Sequence, residues 1–267
     1  MLVVVTGGSG KLGAFVLREL AAAGHQVVNV DLRPPAGGEA CQCIDLQDAA
    51  DIRRVMRGAD AVCHLANIPF FSGVDPAKGF SNNVAATYNV FDAAHRAGLR
   101  RWVNASSIQV YGALGPVQVA PQYLPLNEDH PLLCCDAYPL SKAVGEQIVQ
   151  TFARRDPGIS AFSLRFTYIH PQALELRPGE TGHRATGSLF TYVPATEAAR
   201  AVRLALESGQ PGHTPLNIVS ARPLVPWSPQ ALIEAYQQVP SFRRPLRPDE
   251  PLICGQRAKQ VLGFACD

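Results

Sequence analysis

The sequence predicts an α/β fold, a doubly wound parallel sheet carrying a small C-terminal lobe. Three observations point to it. Apolar β-branched runs alternate with helix-periodic stretches through the first two thirds of the chain, the pattern of a parallel sheet covered on both faces. The first of these runs passes directly into a glycine-rich turn and a helix. The second ends on an acid, and an acid placed so after a glycine turn belongs to the Rossmann-type arrangement for a dinucleotide.

The chain opens on a strand-like run, Met1-Leu2-Val3-Val4-Val5-Thr6. Gly7, Gly10 and Gly13 follow in Thr6-Gly7-Gly8-Ser9-Gly10-Lys11-Leu12-Gly13, and the next seven residues have helical periodicity up to a stop at Gly24. Glycines are needed there because the turn is tight, the backbone approaches a pyrophosphate, and helix packs closely on strand. Free amides at the helix start then hold the anion. A second strand at residues 26–30 ends at Asp31, close to the ~20-residue offset of an acid that binds a ribose 2′-hydroxyl. A carboxylate there repels a 2′-phosphate, so NAD is expected over NADP, with Arg33 nearby as the residue that would favour a phosphate.

Further along, residues 51–57 read as a helix, 61–66 as a buried strand, 83–97 as a helix stopped by Gly98, 101–106 as a strand, 138–155 as a helix and 160–165 as a strand. Residues 171–188, rich in Gly, Pro, Thr and Arg, read as loop. A helix at 195–206 and a strand at 216–219 are expected to return to the sheet, and a short helix at 228–238 to belong to the lobe. Residues 1–165 therefore form the expected dinucleotide-binding domain, its sheet completed by 193–220, with 166–192 and 221–267 as a small substrate-binding lobe.

The bulk numbers set limits. A chain of 267 residues can bury a full core, and 47% hydrophobic with 17% charged residues is ordinary for a globular protein. A net charge of +2 gives no reason to invoke nucleic acid or a membrane surface. No apolar run approaches the ~18 residues of a membrane span, and the first helix follows a strand, so no secretory leader is expected. The seven cysteines have no partners at metal spacing and read as free thiols of a cytoplasmic protein. No metal is expected.

Tyr138 and Lys142 lie one turn apart on one helix face. An ammonium beside a phenol favours the phenolate, so a group that titrates near ~10 can serve as a base closer to neutrality.

With these pieces in order, the chain resembles the extended short-chain dehydrogenase/reductase family, the NAD-dependent epimerase/dehydratase group. The glycine turn matches TGxxGxxG. His64-Leu65-Ala66-Asn67 is similar to the HLAA strand end, and Asn83-Val84 with Thr87-Tyr88-Asn89-Val90 to NvxxTxNV. Ser106-Ser107-Ile108-Gln109-Val110-Tyr111-Gly112 is similar to SSxxVYG, Tyr138 with Lys142 to YxxxK, and residues 258–264 to the closing KAxxxLGF. The resemblance implies Ser107, Tyr138 and Lys142 as the catalytic set: Ser107 on the substrate oxygen, Tyr138 as base or acid, Lys142 lowering the Tyr pKa and binding the nicotinamide ribose. It implies cofactor contacts from Gly7, Ser9, Gly10, Lys11, Leu12, Gly13, Asp31, Leu32, Arg33, Asp45, Leu46, Leu65, Ala66, Asn67, Asn83, Ser106 and Phe166, besides Tyr138 and Lys142. It also implies a homodimer through the helices at 83–97 and 138–155.

Two departures narrow the chemistry. Where the family's dehydratases carry an Asp-Glu pair, this chain has Ile108 and Gln109, neither of which shuttles a proton at neutral pH. Where nucleotide-sugar epimerases read LRxxNvyGP, it has Leu164-Arg165-Phe166-Thr167-Tyr168-Ile169-His170-Pro171, without the Asn. The expectation is therefore NAD-dependent hydride transfer on a small sugar-like substrate, dehydration excluded, as in compact uronate or sugar dehydrogenases. A nucleotide-sugar 4-epimerase and a non-enzymatic NAD(P)-sensing protein are the alternatives. Arg165, His170, Arg177, His183 and Arg184 are candidates to meet a carboxylate or phosphate. Glu128 and Asp129 read as an acidic surface turn or a border of the substrate site, and His64 as a packed strand residue.

Overall fold

The computed structural model describes residues 1–69, 72–113, 118–171, 189–237 and 240–266. In chain order the strands are β1 (Leu2–Thr6), β2 (Gln26–Asp31), β3 (Gln42–Cys43), β4 (Ala61–His64), β5 (Arg101–Ser107), β6 (Tyr123–Leu124), β7 (Ser160–Phe166), β8 (Tyr168–His170), β9 (Tyr192–Pro194), β10 (Gly212–Ile218) and β11 (Ser241–Phe242). The helices are α1 (Gly13–Ala22), α2 (Ala49–Met56), α3 (Pro76–Arg96), α4 (Ala137–Arg155), α5 (Ala195–Ser208), α6 (Pro229–Tyr236) and α7 (Gln256–Leu262). Seven parallel strands make the central sheet in the order β10-β7-β5-β4-β1-β2-β3. The order reverses between β1 and β4, and the crevice for a ligand opens there, beyond the carboxyl ends of the strands.

The sheet is covered on both faces, as the near-continuous apolar strands require. On one side α1, α5 and α7 bury Val16, Leu20, Val202, Leu206 and Ala258 against Val3, Val5 and Leu216. On the other, α2, α3 and α4 bury Ile52, Met56, Val90, Phe91, Val149 and Phe152 against Val4, Val62 and Trp102. Trp102 stacks on Phe91 at 5.1 Å and meets Phe152 edge-on at 5.8 Å, which ties α3 and α4 to the middle of β5. Each such fully buried side chain contributes about 1.5–3 kcal/mol, so the strand that ends on Ser107 is among the most firmly held. A third cluster, with Tyr111, Leu124, Leu126, Trp227, Leu252 and Ile253, packs over the crevice end of the sheet. It is braced by the two-stranded pairs β6–β11 and β8–β9.

Element boundaries differ from expectation where local chemistry intervenes. Helix α3 begins at Pro76 rather than 83, because Asp75 caps it by accepting from the Lys78 amide at 3.1 Å and proline suits a first turn. Strand β10 begins at Gly212 rather than 216; its Pro215 is tolerated because β10 is an edge strand of the sheet. Residues 192–194 pair with β8 and not with the central sheet. The last helix, α7, was not anticipated, and it packs on the α1 and α5 side.

Candidate active site

The glycine turn is shaped by contacts that exclude any side chain. Gly7 has φ +76°, and a Cβ on it would lie 2.5 Å from the Ala66 amide nitrogen. A Cβ on Gly13 would lie 2.2 Å from the Gly7 carbonyl, so the helix start sits directly on the turn. No side chain caps the first turn of α1, which leaves its dipole end open to an anion. Asp31, at the end of β2, accepts from the Ser9 amide at 3.1 Å and from the Leu32 amide at 2.8 Å. The carboxylate is thereby fixed against the turn. Lys11, Leu32 and Arg33 are exposed around it. Asn29 holds the Ser9 hydroxyl through its Nδ2 at 3.2 Å.

On the other side of the switch point, Leu65 is buried and its amide donates to the Thr6 carbonyl at 2.9 Å, continuing β4 toward the crevice. Asn67 donates to the Leu65 carbonyl at 3.1 Å, and its Oδ1 is buried without a protein partner. Asn83 pins this loop by accepting from the Ile68 amide at 2.7 Å and donating to the Ile68 carbonyl at 3.0 Å. Asp45 is exposed and accepts from the Gln47 amide at 2.9 Å, while Leu46 is buried and its carbonyl accepts from Asn89 at 3.0 Å. Phe166 closes β7 in the core. The glycine cradle, the fixed acid and the orphaned amide oxygen of Asn67 fit a dinucleotide lying across the switch point.

Ser107, Tyr138 and Lys142 come together as expected. Ser107 ends β5 and starts a 3₁₀ turn (Ile108–Tyr111), its Oγ accepting from the Gln109 amide at 3.2 Å. Tyr138 lies in the first turn of α4, with the Ser107 side chain as a neighbour that favours its phenolate. Lys142 is buried, with Nζ 5.7 Å from the Tyr138 ring centroid and donating to the Ala105 carbonyl at 2.8 Å. The electrostatics of these residues run against the sequence expectation. Burial pushes the Tyr138 phenol up to about 12, with the Ser107 side chain pulling the other way. Burial also draws Lys142 down to about 8. Desolvation of both charged forms outweighs their mutual attraction, so the protein alone holds a neutral phenol and a weakened ammonium.

His64 is a packed strand residue. Thr87 donates its hydroxyl proton to the Asn83 carbonyl at 2.7 Å, so it accepts from His64 Nε2 at 3.1 Å. The His64 Nδ1 then accepts from Thr6 at 2.7 Å. Burial, and then the nearby Lys142, lower this imidazole to about 3.

Arg165 is a correction. It does not reach a substrate anion, because it is 4% exposed and makes two bonds to Glu146, Nε to Oε1 at 2.9 Å and Nη2 to Oε2 at 2.7 Å. Ser106 donates to the same Glu146 Oε1 at 2.6 Å, within the protein rather than into the crevice. Glu128 is buried, accepting from the Asn217 amide at 2.7 Å, whereas Asp129 is exposed and pairs with Arg257 at 2.5 Å. His170 is half-buried beside Tyr168. Arg177, His183 and Arg184 lie outside the described residues. Sequence reasoning did not single out Glu146, although its place eight residues after Tyr138 put it on the same helix face. Among the described residues no cluster of His, Cys, Asp or Glu could hold a metal ion, and no helix is long and apolar enough to cross a membrane.

The family model of the NAD dependent epimerase/dehydratase family matches residues 3–170. The UDP-glucose 4-epimerase of Azospirillum brasilense is 33% identical over 175 residues, 61% of this chain and 48% of that protein. The uronate dehydrogenase of Pseudomonas syringae pv. tomato is 27% identical over 84% of this chain and 76% of that protein. The chain thus spans about half the length of the first relative and three quarters of the second. A short-chain dehydrogenase/reductase superfamily protein of Agrobacterium tumefaciens, crystallised with bound NAD, superimposes with a TM-score of 0.76 at 25% identity, covering 100% of this chain and 93% of that one.

Proposed function

The chain belongs to the NAD dependent epimerase/dehydratase family, and on that footing we propose that it transfers hydride between NAD and a hydroxyl or keto group of a sugar derivative. The observation that carries this is the placement of Ser107 at the carboxyl end of β5, Tyr138 in the first turn of α4 and the buried Lys142 one turn on, bonded back to β5 at Ala105. Gly7, Gly10 and Gly13 with the first amides of α1 would hold the pyrophosphate, and Asp31 the adenosine ribose. Leu65, Ala66 and Asn67 would line the crevice beyond. NAD, when bound, supplies a nicotinamide C4 that accepts or returns hydride.

The remaining chemistry belongs to the protein. Ser107 orients the substrate oxygen, and Tyr138 gives it a proton during carbonyl reduction or takes one during alcohol oxidation. As Tyr138 approaches phenolate, the Lys142 ammonium stabilises the forming charge in a site with little water. Asp31, turned toward the turn, supports NAD over NADP. Ile108 is buried and Gln109 stands in the position of an acid, so nothing at the end of β5 performs elimination of water.

Two reactions share this machinery. A dehydrogenase on a small sugar or uronate releases NADH, and the missing Asn in residues 164–171 favours it. A nucleotide-sugar 4-epimerase recycles its hydride, and the 33% identity to the Azospirillum enzyme favours that. The test is to incubate the protein and NAD with aldoses, uronates and UDP-hexoses, following absorbance at 340 nm and product configuration together. Net NADH identifies the dehydrogenase, epimer without NADH the epimerase, and NAD binding without either product the sensor.

A homodimer through α3 and α4 is part of the same proposal. Tyr88 on α3 is 51% exposed and leans on Phe152 of α4 at 5.9 Å, an aromatic surface suited to a second copy. The free cysteines fit a reducing, cytoplasmic compartment.

A further inference from the structure

Tyr138, Lys142 and Glu146 fall on one face of α4, a turn apart. The latter two are tied to consecutive residues of β5. Lys142 Nζ donates to the Ala105 carbonyl at 2.8 Å, and Ser106 Oγ donates to Glu146 Oε1 at 2.6 Å. The next residue on that strand is Ser107. From β7, Arg165 grips Glu146 with two bonds and reaches past it to the Tyr111 hydroxyl at 2.9 Å, in the turn that follows Ser107. Tyr111 in turn donates to Asn217 Oδ1 at 2.7 Å, and Arg165 also reaches the Glu128 carbonyl at 3.4 Å. The backbone on both sides of Ser107 and the helix bearing Tyr138 are therefore fastened to one carboxylate–guanidinium pair, each partner 4% exposed.

A buried ion pair rarely adds stability beyond what apolar packing of the same volume would give. What this pair adds is direction: the Ser106 bond ties α4 to β5 and the two Arg165 bonds tie it to β7, which together define where the helix sits. Resting on the reading of Ser107 and Tyr138 as the reacting pair, we propose that Glu146, held by Arg165, is a positioning residue that sets the approach of Tyr138 to Ser107. Ser106 acts as its arm on β5, with its hydroxyl directed at the helix rather than at the cofactor. Glu146 does not touch substrate. It acts by keeping the phenol and the serine hydroxyl in register, and a displacement of an ångström at such a site is worth up to about a hundredfold in rate.

The test reads the phenol directly. Protein labelled with ¹³C at tyrosine Cζ gives a Tyr138 line, assigned by its loss in Tyr138→Phe, and Ser107→Ala supplies the shift that follows loss of the serine hydroxyl. Ser106→Ala removes one hydroxyl and Glu146→Gln removes the charge. Both are expected to move the Tyr138 line in the direction that Ser107→Ala moves it, with kcat down about tenfold and the NAD dissociation constant within about twofold of wild type. A Tyr138 line unmoved in folded Ser106→Ala, with only the melting temperature lowered, would overturn the proposal. Should Glu146→Gln fail to fold, Ser106→Ala decides alone. The line position needs no substrate, so failure to find turnover would count against the proposed reaction and leave the positioning role to be judged by the spectrum.

Discussion

Lys142 and Tyr138 stand one helical turn apart, the ammonium nitrogen 5.7 Å from the phenol ring centroid, and burial acts on them in opposite directions. It raises the phenol to about 12 and lowers the ammonium to about 8. Both shifts disfavour the charged form, so a base made from this pair is incomplete until ligands add their own charges.

Lys142→Met should abolish turnover and yet stabilise the fold near neutrality. The folded pKa of about 8 lies below the ordinary 10.5, so the native state carries a penalised ammonium below pH 8. Between about 8 and 10.5 the unfolded chain binds more protons than the native one, and stability contributed by this group rises with pH. Denaturant titration at pH 7 should show the variant more stable by about 1–3 kcal/mol, less the bond to Ala105, with the gap closing by pH 10. A variant less stable at pH 7 and a gap that widens with pH would contradict this.

Gly7→Ala should cost both fold and cofactor. Its φ of +76° disfavours any side chain, and the added methyl meets the Ala66 backbone at 2.5 Å, a contact that no side-chain rotation relieves. A loss of more than about 2 kcal/mol is expected. Titration calorimetry should find NAD binding undetectable, whereas Gly24→Ala, where a Cβ meets nothing within 4 Å, should leave binding unchanged.

Asp31→Ala should loosen the choice of cofactor. It removes the acceptor of the Ser9 and Leu32 amides and the charge that repels a 2′-phosphate, while Arg33 stays exposed next to it. NAD affinity should fall about tenfold and the preference over NADP should shrink by more, since each 1.4 kcal/mol is a factor of ten. Paired NAD and NADP dissociation constants measure this, and an unchanged ratio would speak against the role of Asp31.

The parts of the site that were legible in the sequence are those fixed by local backbone chemistry. Gly7, Gly13 and Asp31 announce themselves by spacing along strand, turn and helix, and Tyr138 with Lys142 by helical period. The residues that were misjudged depend on contacts distant in the chain. Arg165 looked like a strand-end arginine available to an anion, and only the packing of β7 against α4 reveals that Glu146 neutralises it. Glu128 looked like a surface acid until β10 delivered the Asn217 amide to it. The Tyr138–Lys142 electrostatics were misjudged for the same reason, because sequence gives the distance along a helix and not the depth of burial.

Arg165→Met leaves the Glu146 carboxylate buried with only the Ser106 hydroxyl, and should cost about 3–5 kcal/mol. Adding Glu146→Leu should recover most of that stability and none of the turnover. Chemical denaturation of the single and double variants checks the first part, and a double variant with wild-type kcat would contradict the second.

The most direct test of the proposed chemistry is the single-turnover rate of hydride transfer in Tyr138→Phe against wild type. The protein is preloaded with NAD and mixed with the sugar identified by the panel, with absorbance followed at 340 nm, or with the rate of epimer formation followed where hydride is recycled. The phenylalanine keeps the ring and loses only the proton-transferring hydroxyl. The rate should drop by at least about a hundredfold, the scale of general acid–base catalysis, while the NAD dissociation constant stays within about threefold. Hydride transfer in Tyr138→Phe at the wild-type rate would contradict the assignment.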